Sequence, residues 1–148
     1  MKGSCFCGSI AFEIAGDIPA LYQCHCSECR KTTGGAANAA FIVQCSQFRW
    51  LQGEELIKTF LKDSGFRVNF CQTCGSPVPN VISKLSQAMW VPAGLMDEAL
   101  PVKVANHLHV ASKAAWDEIG GKAAQHQEMP DDLSVLLPPE LSPENQQS

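Results

Sequence analysis

The residues of this chain best suited to chemistry are its cysteines. There are eight among 148 residues: Cys5, Cys7, Cys24, Cys26, Cys29, Cys45, Cys71 and Cys74. In order they read C-x-C-G, C-x-C-x-x-C, a lone cysteine, and C-x-x-C-G. In an extended chain residues i and i+2 project to the same side. Cys5 and Cys7 can therefore aim two thiolates at one point, and so can Cys24 and Cys26. Tetrahedral zinc, with Zn–S bonds of about 2.3 Å, asks for sulfurs about 3.8 Å apart, which a slightly bent strand end supplies. A disulfide between i and i+2 would close a small strained ring, so the spacing favours metal. The CQTCG run at 71–75 is a half-site of another kind, a tight turn that converges two thiolates, with Gly75 free to take positive φ. Its rival is a thioredoxin-like redox pair. That motif opens a helix, and the SPVP at 76–79 is a poor helix start.

One closed structural zinc takes four ligands. Cys5, Cys7, Cys71 and Cys74, in the two half-sites followed by glycine, supply four. Cys24, Cys26 and Cys29 supply three, which leaves one tetrahedral position open, the mark of a catalytic or ligand-binding zinc. Cys45 bears on that count, because as a fourth ligand it would close the second site. Alternation places it on the face of Phe41 and Val43, where it reads as a buried apolar thiol. His25 points away from the cysteines beside it if the chain is extended there, toward a supporting or surface role.

The elements that must hold these groups are strands. Ile10, Phe12 and Ile14 alternate with Ser9, Ala11 and Glu13, and Phe66, Val68 and Phe70 alternate with Arg67 and Asn69. Similar short runs fall at 41–43, 48–51, 56–61, 89–92 and 102–110, with Gly or Pro between many of them. Short alternating strands at this spacing predict an all-β fold, a sandwich or barrel-like arrangement of antiparallel strands. A short helical turn is expected after Ser27 and another around residues 116–118. Trp50, Trp90 and Trp116 read as core. His109 alternates onto the face of His107.

Composition bounds the rest. At 45% hydrophobic and 18% charged, the chain is globular, and its length suits one domain with a tail. The formal charge of −4 is no basic field for nucleic acid. Residues 127–148 carry five acids and no Lys or Arg, so residues 1–126 hold a net +1. A zinc-binding β domain over 1–126 and an acidic tail over 127–148 are expected, the tail disordered from residue 138 onward. No apolar run reads as a signal peptide or a membrane span, which points to a reducing cytoplasm, where clustered cysteines serve as metal ligands or redox groups.

The joint order of seven cysteines, followed by HLHVASKAAW on a late strand, resembles the glutathione-dependent formaldehyde-activating enzyme family over roughly residues 3–118. That domain is also found in centromere protein V. The resemblance implies a zinc-bound complex β-sandwich similar to the Rab-interacting exchange-factor-like fold. It implies a structural zinc at Cys5, Cys7, Cys71 and Cys74 and a second, labile zinc at Cys24, Cys26 and Cys29. The implied activity is of carbon–sulfur lyase type, on the glutathione adduct of formaldehyde, with glutathione as co-substrate. Three thiolates and a divalent ion leave a net charge of about −1, which suits a weakly held metal. Glutathione carries two carboxylates, which Arg30 and Lys31 could meet; the bland alternative is solvated surface charge. His107 is either a proton shuttle or a hydrogen-bonded core histidine. The partner is then a small thiol–aldehyde adduct, with a homo-oligomer possible and neither nucleic acid nor membrane expected. The rivals are a non-catalytic zinc module and a redox sensor that releases zinc on oxidation.

Overall fold

The computed structural model describes residues 1–145. Among them the strands are β1 (Lys2–Ser4), β2 (Ala11–Ile14), β3 (Leu21–Cys24), β4 (Asn38–Gln44), β5 (Phe48–Gln52), β6 (Ile57–Leu61), β7 (Arg67–Cys71), β8 (Asn80–Ile82), β9 (Leu85–Pro92), β10 (Val104–Leu108) and β11 (Ala124–Gln125). One α-helix, α1 (Ser27–Thr33), follows β3, as the sequence predicts. The strands form three open sheets: β1-β2-β5, the six-stranded β11-β10-β3-β4-β9-β8, and the β6-β7 hairpin. Pairing is antiparallel except at β10, which runs parallel to both β3 and β11. The mostly β, multi-sheet architecture expected from the alternating runs is present, with no closed barrel.

The core forms where two sheets face each other. Phe12 and Ile14 on β2 pack with Phe41 and Val43 on β4 and with Met89 and Val91 on β9. Phe12 stacks on Phe48 at 5.2 Å and meets Trp50 edge-on. Strand β4 is central and buried on both faces, which explains its unbroken apolar run. Ile42, on the opposite face from Phe41 and Val43, packs with Ala88 and Leu141.

Part of the tail packs on that second face. Residues 138–145 are not loose: Leu141 is buried, and Leu137 packs beside it against the six-stranded sheet. The reason is that a sheet apolar on both faces needs covering on both, and leucines in the tail supply it. The last three residues of the predicted disordered stretch lie outside those described.

Other expectations also shift. Trp116 is 73% exposed, in a turn and not a helix, because no element lies over it. Cys45 opens a 3₁₀ turn after β4 and is only partly buried, its Sγ 3.6 Å from the Ser86 carbonyl oxygen. It joins neither cysteine group.

Gly53 starts the turn after β5 at φ 79° with its backbone buried, and a Cβ there would run into the Ser9 carbonyl oxygen. Gly53→Ala combines left-handed strain with a backbone clash. It should lower unfolding free energy by about 2–4 kcal/mol. Urea denaturation measures this, and a loss below about 0.5 kcal/mol would contradict it.

Candidate functional site

The four-cysteine group joins distant parts of the chain. Cys5 and Cys7 lie in the turn after β1, Cys71 ends β7, and Cys74 sits in the following turn. Their sulfurs all lie within 4.8 Å of one another. Cys5 Sγ is 3.6 Å from Cys7 Sγ, which is 3.9 Å from Cys71 Sγ. These spacings bracket the edge of about 3.8 Å expected for tetrahedral zinc. Backbone N–H groups point at the sulfurs: Ile10 donates to Cys5 Sγ at 3.3 Å and Thr73 to Cys71 Sγ at 3.4 Å. Such donors favour thiolates. Ser76 Oγ lies 3.4 Å from Cys74 Sγ and accepts from the Phe6 N–H at 2.9 Å, linking the two half-sites. All eight cysteines are free of disulfides. The residues therefore fit a metal ion.

Thiol ionisation is unequal within the group. Burial pushes Cys5 up to about 11. At Cys74 burial also raises the pKa, but hydrogen bonds with Ser76 and Cys7 outweigh it and bring the thiol down to about 5. Hydrogen bonds with Ser9 lower Cys7. One proton is lost easily and the next resists, as coupled sites must.

The three-cysteine group is local. Cys24 ends β3, Cys26 caps α1 with its sulfur accepting from the Cys29 N–H at 3.3 Å, and Cys29 lies buried within the helix. The C-x-C-x-x-C spacing achieves this by running from strand directly into helix. The three sulfurs again lie within 4.8 Å of one another, and no fourth His, Cys or acidic ligand joins them among the described residues. Hydrogen bonding from Cys29 pulls the Cys24 pKa down to about 6. Cys29 is pushed up, first by its bond to Cys24 and then by burial. Both groups can thus hold metal ions.

Cys24 and Cys29 line a cavity of about 450 Å³. It sits on the outer face of the six-stranded sheet, with Tyr22, Ile42 and Trp90 also lining it. Burial pushes the Tyr22 hydroxyl pKa up, so the group keeps its proton. Glu28 on α1 contacts Lys62 at 3.3 Å and accepts from Ser64 at 3.0 Å, tying the helix to the β6–β7 turn.

Several predicted residues lie elsewhere. Arg30 and Lys31 do not line this cavity; its cationic side chains are Arg67 and Lys84. Alternation alone could not find these two, because one comes from a hairpin and the other from the β8–β9 turn. His107 lies on the opposite face of the sheet from Cys24. Its Nδ1 is 2.9 Å from His25 Nε2, and both rings are buried. His25 Nδ1 lies 3.8 Å from Asp117, and burial lowers the pKa of both histidines. His107 therefore does not join the three thiols, and His25 is not a surface residue. His109 leaves the face of His107 because its φ of 55° ends the strand alternation.

Comparison with known proteins shows the family and the fold. The family model described as glutathione-dependent formaldehyde-activating enzyme matches residues 1–112. A Halomonas elongata protein named as a candidate glutathione-dependent formaldehyde-activating enzyme is 28% identical over 127 residues, covering 80% of each chain. A crystal structure of a Rhodobacter sphaeroides protein, 22% identical, covers 70% of this chain and 99% of its own, with a TM-score of 0.57, a likeness of fold. With its match extending over most of its length, this chain belongs to the glutathione-dependent formaldehyde-activating enzyme family.

Proposed function

We propose that this protein is a zinc-dependent enzyme of carbon–sulfur lyase type acting on a thiol adduct of a small aldehyde, with glutathione as the thiol. The observation that carries the reading is the three-thiol group without a fourth protein ligand among the described residues, at the wall of a cavity. Cys24, Cys26 and Cys29 would hold a labile zinc, and Cys5, Cys7, Cys71 and Cys74 a structural one. When bound at the first of these, zinc supplies Lewis acidity and lowers the pKa of a thiol. In the condensation direction a sulfur–carbon bond forms and the thiol proton ends on the former carbonyl oxygen; no electron acceptor is needed. Tyr22, which lines the cavity and keeps its proton, would donate a hydrogen bond to that oxygen. The flanking apolar side chains exclude water and so limit loss of the aldehyde to hydration.

Metal analysis and ligand-induced stabilisation test this together. The purified protein should carry two zinc ions, one of them removed by mild chelation. Saturating glutathione should raise the stability of the loaded protein, by about 2.7 kcal/mol at a hundredfold excess over Kd. Cys26→Ser should abolish that rise. Glutathione binding that survives in Cys26→Ser would overturn the reading.

A further inference from the structure

The cavity beside Cys24 and Cys29 is lined mostly by apolar side chains, which neither a one-carbon aldehyde nor the polar glutathione portion calls for. Tyr22, Ile42 and Trp90 come from the six-stranded sheet and Phe66 from the hairpin turn. Met129 and Leu136 come from the tail, beyond the 1–112 region matched by the family. Arg67 and Lys84 supply positive charge at the same cavity. A volume of about 450 Å³ is in the range of sites that enclose a whole small molecule.

We infer that the cavity takes the apolar side chain of a larger aldehyde, as its glutathione hemithioacetal, and that the tail is the specificity wall. The inference rests on the proposal that the three thiols form the thiol-binding site. The bond changes are those of the one-carbon case: sulfur joins the carbonyl carbon, and the thiol proton passes to oxygen. Only the group on that carbon differs, an alkyl or aryl chain in place of hydrogen. Arg67 and Lys84 match the two carboxylates of the glutathione portion. The apolar chain lies against Ile42, Trp90 and the tail leucine. Each methylene buried there is worth about fourfold in affinity.

S-alkylglutathiones test this in the zinc-loaded, full-length protein. They are thioethers with no thiol proton, so they report the cavity independently of thiolate formation. Binding is followed by calorimetry and by the change in tryptophan fluorescence, Trp90 being the tryptophan that lines the cavity. S-hexylglutathione should bind at least about 30-fold more tightly than S-methylglutathione, a discounted figure for five added methylenes. Leu136→Asp should reduce that ratio to about threefold or less, with metal content and circular dichroism unchanged. A flat chain-length series in the wild-type protein overturns the inference, and needs no variant to fold. A ratio that Leu136→Asp leaves intact overturns the role of the tail. Neither result touches the dependence of glutathione binding on Cys26, whose loss would instead sink the underlying proposal.

Discussion

Cys71→Ser is expected to leave the protein unfolded, whereas Cys26→Ser is expected to leave it folded with one zinc fewer. The asymmetry follows from what each cysteine group connects. Cys71 is fully buried in a cluster with Cys5, Ile10 and Val78, and the residues it draws together lie 64 positions or more apart. Structural zinc contributes on the order of 10–16 kcal/mol to folding in small zinc domains. Net stability of a domain is only about 5–15 kcal/mol, so losing that ion removes most of it. A serine oxygen would also leave three neighbouring thiolates poorly compensated. Cys26, by contrast, is only partly buried and caps one short helix. Serine is itself a good N-cap, so the substitution should cost about 1 kcal/mol or less apart from the metal. Zinc analysis with circular dichroism separates the two outcomes. Equal disruption by both substitutions would refute the division into structural and labile sites.

Phe12→Ala should destabilise the domain by about 3–5 kcal/mol, the range for deleting a buried aromatic side chain. Phe12 is fully buried between the two facing sheets, stacked on Phe48 and meeting Trp50 at an edge. Its ring fills the space left by Gly3 on β1, where any Cβ would collide with it. The backbone of β1 cannot collapse into the gap without breaking its register with β2, so the cavity would persist. Urea unfolding should show an earlier midpoint with an unchanged slope. Trp116→Ala, at an exposed position, is the control and should change stability by less than about 0.5 kcal/mol. A loss below about 1.5 kcal/mol at Phe12 would contradict the packing described.

What the sequence revealed and what it concealed divide along chain distance. The cysteine half-sites were legible because i, i+2 and i, i+3 spacings fix direction locally, while joining Cys5 and Cys7 to Cys71 and Cys74 came from the four ligands that a closed zinc takes. The buried face of Ile10, Phe12 and Ile14 was legible from local spacing in the same way. The cavity was not, since it is assembled from β3, the hairpin, the β8–β9 turn and the tail. Arg30 and Lys31 stood next to Cys29 in sequence, but the cations that reach the cavity are Arg67 and Lys84. His107 could be read as a proton shuttle or as a hydrogen-bonded core histidine, and it is buried and hydrogen-bonded to His25. Which side of the sheet it faces depends on the parallel pairing of β10 with β3, a partnership between strands some 80 residues apart that no local pattern encodes. In the tail, prolines and acids dominate the composition, while its packing against the sheet rests on a few leucines.

The separation of Cys5 and Cys7 from Cys71 and Cys74 has a consequence for biosynthesis. During translation, Cys24, Cys26 and Cys29 emerge together within six residues. The four-cysteine group cannot close until Cys74 has left the ribosome. On the proposed ligand assignment, a metal ion present during synthesis meets the exchangeable site first and the permanent one last. If the three thiols hold their ion weakly, as proposed, an ion captured early would be available for release to the four-cysteine site as that site comes together.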